Sequence, residues 1–153
     1  MDLIEKHKQL KERAEKIFEG NKLIMCPYFG QQITLNSDGL HHLQFSARRE
    51  RNKQEQLLKF NLLPLAVKVL KKAGTVQAYR KDLVSIGKKS ERDGLSPTKL
   101  VQHWGFEAIT GDNHLIKIRV IVRQVGDGKL VFWSVMLLEK DMQRLAKIGI
   151  QDE

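Results

Sequence analysis

A chain of 153 residues, 41% of them hydrophobic, suits one domain with a single core. No run approaches the roughly 20 apolar residues of a membrane span, and the first residues are charged and amphipathic rather than signal-like. The lone Cys26 excludes an internal disulfide, and no Cys/His cluster has zinc-ligand spacing, so the expectation is a cytoplasmic protein with no membrane association, cofactor or metal.

The net charge of +9 is unevenly placed: residues 41–92 hold 13 Lys/Arg against 4 Asp/Glu, and the rest of the chain holds 14 of each. The whole excess therefore lies in one third of the sequence. Such a localised positive field attracts polyanions, with nucleic acid the first expectation and an anionic membrane surface the main competitor.

Along the chain, Leu3, Ile4, Leu10, Ala14, Ile17 and Phe18 approximate helical spacing, which predicts an amphipathic helix within residues 1–20, near 2–19. Residues 23–35 read as extended chain with a Pro/Gly interruption, and the cluster Asn36-Ser-Asp-Gly39 offers N-cap oxygens to a second helix over 38–51. A third helix over 53–73 carries Leu57, Leu58, Leu62, Leu63, Ala66, Val67 and Leu70 as its buried stripe, with a kink or break near Asn61 because of Pro64. Residues 75–86 are ambiguous, and 87–98 form an exposed loop rich in turn residues.

The period then changes. Runs at 99–109, 115–125 and 129–138, separated by Gly111-Asp-Asn113 and Gly126-Asp-Gly128, predict an antiparallel meander, followed by a short helical candidate over 139–148. The fold class is thus α+β, with N-terminal helices packed on a C-terminal antiparallel sheet.

Within the run 115–125, Lys117, Arg119 and Arg123 alternate with Ile116, Ile118, Val120 and Val122, so one sheet face is cationic and the other is core. In the next run, strict alternation sets Phe132, Ser134 and Met136 against Val131, Trp133 and Val135, bringing the Ser134 hydroxyl near the cations and a tryptophan into the meander. In the second helix, Leu40, Leu43 and Ala47 form the buried stripe, while His42, Ser46 and Arg49 lie beside it at the edge. Arg48, Arg49, Arg51, Lys117 and Trp133 are the expected nucleic-acid contacts. An imidazole exchanges protons near neutral pH and a neighbouring guanidinium steadies a phosphate gaining charge, so His41 and His42 are both acid–base candidates. A metal held by the two is disfavoured, because adjacent helical residues point about 100° apart.

The runs Tyr28-Phe-Gly-Gln-Gln-Ile-Thr-Leu-Asn-Ser-Asp-Gly-Leu-His-His-Leu43, Trp104-Gly-Phe-Glu-Ala-Ile109 and Ile118-Arg-Val-Ile-Val-Arg-Gln-Val-Gly-Asp-Gly-Lys-Leu-Val-Phe-Trp-Ser-Val135, in that order around a basic leucine-rich helix, resemble small bacterial and phage-borne members of the barnase/EndoU/colicin/RelE-like ribonuclease superfamily. The resemblance implies metal-independent RNA cleavage by attack of the 2′-hydroxyl on the adjacent phosphate, with His42 as acid or base, Arg119 and Arg123 clamping the phosphate and Ser134 positioning it. Where related sequences often carry a second histidine followed by proline, this chain has Ser46-Ala-Arg-Arg49, which puts Arg48 or Arg49 in that role.

Two classes of function follow: an endoribonuclease, as in a toxin or phage-conflict factor with a cognate antitoxin or inhibitor protein, or a non-catalytic RNA- or DNA-binding module whose tryptophans stack on bases. A third, a regulator that engages an acidic protein through the first helix and the basic segment, is the remaining alternative.

Overall fold

In the computed structural model, which describes residues 2–46, 48–85, 92, 94–111 and 115–139, three helices precede most of a six-stranded sheet. The helices are α1 (Leu3–Gly20), α2 (Ser37–Gln44) and α3 (Lys53–Lys72), and the strands are β1 (Leu23–Cys26), β2 (Gln31–Thr34), β3 (Ala78–Ser85), β4 (Thr98–Thr110), β5 (Ile116–Val125) and β6 (Val131–Glu139). The sheet order is β1-β2-β6-β5-β4-β3, antiparallel throughout except for a single parallel bridge, Thr34 to Val131, between β2 and β6. The α+β architecture is as the two hydrophobic periods predict. The helical candidate over 139–148 and most of the loop over 87–98 lie outside the described residues.

Each helix begins at a side-chain cap, that of the second lying in the Asn36–Gly39 cluster where the sequence places it. Asp2 accepts from the Glu5 N–H at 2.8 Å, Asn36 from the N–H groups of Asp38 and Gly39, and Asn52 from Glu55 N–H at 2.8 Å. The core is built from Phe18 of α1, Phe60, Leu63, Ala66 and Leu70 of α3, and Phe106, Ile118, Val120, Val122, Phe132 and Val135 of the sheet. Leu58, counted in the expected stripe, is instead exposed.

Of the kink or break expected near Asn61, the break does not occur, since α3 runs unbroken from Lys53 to Lys72 with Pro64 inside it. Burial of Phe60, Leu63, Ala66 and Val67 on both sides of the proline offsets the loss of one helical donor. The second helix is shorter than predicted, ending at Gln44 rather than near 51. Ser46 is the reason: its Oγ accepts from the N–H groups of Arg48 and Arg49 and its own N–H donates to Arg49 O, so a tight turn replaces the next helical turn. Phe45 is already extended and bridges to Glu50. Ala47, expected in the buried stripe of this helix, lies outside the described residues.

The ambiguous stretch after α3 supplies β3, paired with β4 along its full length from Ala78–Gly105 to Ser85–Thr98. Its alternation is masked in sequence because almost all of this strand is exposed.

Beyond the Thr34–Val131 bridge no described strand pairs with the outer side of β6, and helices cover it instead. Gly39 of α2 packs so closely that a Cβ there would stand 2.3 Å from Phe132 O. Lys59 of α3 donates to Val135 O at 2.7 Å. This close covering sets α2 and the start of α3 beside the open face of the sheet, which is where the candidate residues meet.

Candidate active site

The open face is assembled by strand register. Arg80 of β3, His103 of β4 and Arg123 of β5 stand in one cross-strand row, and the next rows pair Gly105 with Ile121 and Glu107 with Arg119. A β-bulge between β5 and β6 sets Ile121 opposite Ser134 but Val122 opposite Phe132, leaving Trp133 as the extra residue. The strict alternation expected for this run therefore fails at Trp133. It joins Ser134 and Met136 on the open face, while Phe132 and Val135 enter the core.

The result is a concavity of about 660 Å³ whose wall includes His42 of α2, Arg51, Lys59 of α3, and Arg80, His103, Arg119, Ile121, Trp133 and Ser134 of the sheet. A second hollow of about 590 Å³ shares His42, His103 and Trp133 with the first and adds His41 and Arg123. The helix histidines and strand arginines separated by more than seventy positions thus share one surface. The basic segment 41–92 contributes Arg51, Lys59 and Arg80 to the wall that also carries Arg119.

His42 is fixed on three sides. Its ring stacks on Trp133 with centroids 4.4 Å apart, Arg51 Nε donates to its carbonyl oxygen at 3.1 Å, and Arg51 Nη2 lies 3.4 Å from its Nε2. Burial, then the positive charges of Arg51, Lys59, Arg123 and His103, push its pKa down to about 4, so the imidazole is neutral at physiological pH. His103 is shifted in the same direction, by burial first and then by Arg80 and Arg123. His41 stacks on Phe45 at 4.4 Å and stays exposed.

Lys59 donates to Ser134 Oγ at 3.1 Å. Burial and the nearby Arg51 bring its pKa down to about 8. The guanidinium of Arg123 lies 4.3 Å from the Trp133 ring centre. Among the described residues, His103 Nδ1, Arg119 Nε and Arg123 Nε are buried with no hydrogen-bond partner.

Not every expected residue arrives. Arg49 pairs with Glu55 at 3.3 Å, and Arg48 and Arg49 sit on the Ser46 turn outside both hollows, because the shortened helix no longer carries them alongside His42. Arg51 takes that place. Lys117 is drawn to Glu107 at 3.7 Å, and the same carboxylate lies 3.6 Å from Arg119, so the cationic strand face is partly neutralised. Trp133 stacks with His42 and lies by Arg123, and Trp104 packs on Phe29 and Tyr79, so both half-buried rings already have partners within the protein.

His103, Lys59 and Arg80 were missed. The signal for His103 was present, since it shares its strand face with Gly105 and opposes Trp104. Lys59 was also legible, three residues after Gln56 and four before Leu63 in the buried stripe. Arg80 had no signal while its strand was unread.

Among the described residues no three His, Cys, Asp or Glu side chains gather as a metal site, and no helix is long and apolar enough to cross a membrane. No protein family, characterised protein or solved structure matches this chain.

Proposed function

We propose that this protein is a metal-independent endoribonuclease that cleaves RNA through attack of a 2′-hydroxyl on its own phosphodiester. The observation that carries the reading is the convergence of two neutral histidines, His42 and His103, with Arg51, Lys59, Arg119 and Ser134 in one concavity. Arginines alone would argue only for phosphate binding; two imidazoles and a lysine shifted towards neutrality add groups able to move protons.

The reaction assigns tasks to His42, Lys59, Ser134 and the arginines. A phosphodiester enters between Arg51, Lys59 and Arg119, and its negative charge offsets the burial and the positive field that hold the histidines neutral. His42 Nε2 exchanges its long contact with Arg51 for the ribose 2′-hydroxyl and accepts that proton, while stacking on Trp133 keeps the ring in place. O2′ forms a bond to phosphorus, and the phosphorane carries extra charge that the arginines and Lys59 balance. The bond to O5′ then breaks. Lys59, with its pKa lowered to about 8, returns a proton to that oxygen, leaving a 2′,3′-cyclic phosphate and a 5′-hydroxyl. Ser134 orients Lys59.

The alternative, a non-catalytic binding module, would use the same cations on phosphates and gives no task to the histidines and Lys59 beyond contact. The resemblance to the barnase/EndoU/colicin/RelE-like superfamily, the toxin-like setting and a cognate inhibitor belong to the same proposal.

Incubation with end-labelled RNA, with and without EDTA, followed by analysis of the product ends, tests it. Cleavage that survives EDTA and yields cyclic phosphate ends is expected, and His42→Ala should lower turnover about a hundredfold while changing RNA affinity little. Salt-sensitive binding with no products would favour the binding module. Full activity in His42→Ala, His103→Ala and Lys59→Met alike would remove the assigned site.

A further inference from the structure

The hollow beyond the His42–Trp133 contact is not needed for the proton transfers above, and its chemistry differs from that of its neighbour. Its volume of about 590 Å³ lies in the range of small-molecule pockets. Its lining includes the stacked rings of His41 and Phe45, 4.4 Å apart and only 11° from parallel, with His41 exposed. Asp38, in the first turn of α2, is the one carboxylate in its lining. Arg123 lies on the same wall, within the field of Asp38.

Arg123, His42 and His103 in the lining suit a phosphate, while the Asp38 carboxylate suits a donor. A flat ring bearing N–H donors fits well: it extends the His41–Phe45 stack and donates to Asp38, while its backbone phosphate remains by Arg123 and the shared His42 and His103. We infer that this hollow holds the base of a nucleotide adjoining the reacting phosphate, and that Asp38 favours a base with an amino group on its pairing edge, such as cytosine, over uracil. This rests on the reading of the larger concavity as the phosphate and reaction site.

The selectivity has a simple cause. Cytosine presents an N4 amino donor where uracil presents the O4 acceptor, so one satisfies the carboxylate and the other opposes it. A hydrogen bond to a charged group supports discrimination on the order of tenfold.

The test uses fluorescein-labelled oligo(dC) and oligo(dU) of equal length, which lack the 2′-hydroxyl and so bind without being cut by the proposed chemistry. The wild-type protein should bind oligo(dC) about tenfold more tightly. Asp38→Asn should bring that ratio close to one without weakening oligo(dU) binding, since the change keeps the side-chain shape and leaves the Asn36 cap intact. Equal affinity of the wild type for the two strands overturns the base subsite, whatever the protein does to RNA. A preference that persists in Asp38→Asn overturns the role of Asp38. A preference abolished by Asp38→Asn, in a protein that cuts no RNA, keeps the subsite and removes the proposed reaction.

Discussion

Arg51 reaches back nine residues to hold His42 at both ends, its Nε donating to the histidine carbonyl at 3.1 Å and its Nη2 lying 3.4 Å from the ring Nε2. The contact joins the loop after α2 to the candidate catalytic ring, and it helps to explain why that ring is neutral. Because Arg51 is also 3.9 Å from Glu55, its position is anchored in α3 as well.

The depressed pKa of His42 ties stability to pH. Its value falls from 6.5 to about 4 in the folded protein, so between those two values the unfolded chain binds a proton that the folded chain does not. Stability is therefore unaffected by this group above about pH 6.5 and declines as pH falls from there towards 4. His42→Gln should flatten that part of the profile, as measured by urea midpoints across the pH series. Inorganic phosphate should soften the decline in the wild type, since an anion in the site raises the folded pKa. An unchanged slope in His42→Gln would show that another group dominates.

Gly39→Ala should destabilise the protein by about 1–3 kcal/mol. The added Cβ would stand 2.3 Å from a backbone oxygen, Phe132 O, and neither partner is a flexible side-chain end. Thermal denaturation measures the loss. Since α2 must move away from β6, the folded fraction should also lose activity, which separates this variant from a helix-surface substitution.

Gln56 is a buried link between three parts of the molecule. Its Oε1 lies 2.7 Å from His7 Nε2, and its Nε2 donates to Arg51 O at 2.6 Å. Gln56→Leu leaves His7 and the Arg51 carbonyl without these partners and should cost about 1–3 kcal/mol in denaturant unfolding. Turnover should fall further than stability accounts for, because the misplaced segment carries Arg51. His7→Ala should reproduce the stability loss with a smaller effect on turnover.

Glu107 restrains the cationic face by drawing both Lys117 and Arg119. Glu107→Gln keeps its shape and removes its charge, so RNA should bind more tightly and with a steeper dependence on salt. Fluorescence titrations at several salt concentrations would show this; an unchanged slope would mean that neither cation contacts the strand.

Much of the fold follows from local pattern. Apolar residues at helical spacing marked α1 and α3, cap oxygens at Asp2, Asn36 and Asn52 coincide with the helix starts, and Gly126-Asp-Gly128 separates β5 from β6. Gly126 adopts φ 55°, a conformation open to glycine, which is why so short a sequence signalled the turn. The alternation of Lys117, Arg119 and Arg123 with core residues was likewise readable, since it depends only on the two-residue period of a strand.

What the helix and strand periods left open was decided by competition for the same atoms, between close neighbours at Ser46 and between distant segments in the sheet. Ser46 took the N–H groups of its neighbours and ended α2, which exchanged Arg49 for Arg51 beside His42. A bulge turned Trp133 towards the site. Strand register, set by pairing across the sheet, aligned Arg80, His103 and Arg123, and the unpaired side of β6 admitted Gly39 and Lys59. Local sequence determines which residues face core or solvent, because that depends on helix and strand periods; which of them meet depends on hydrogen bonds between segments far apart in the chain, and no local period encodes those.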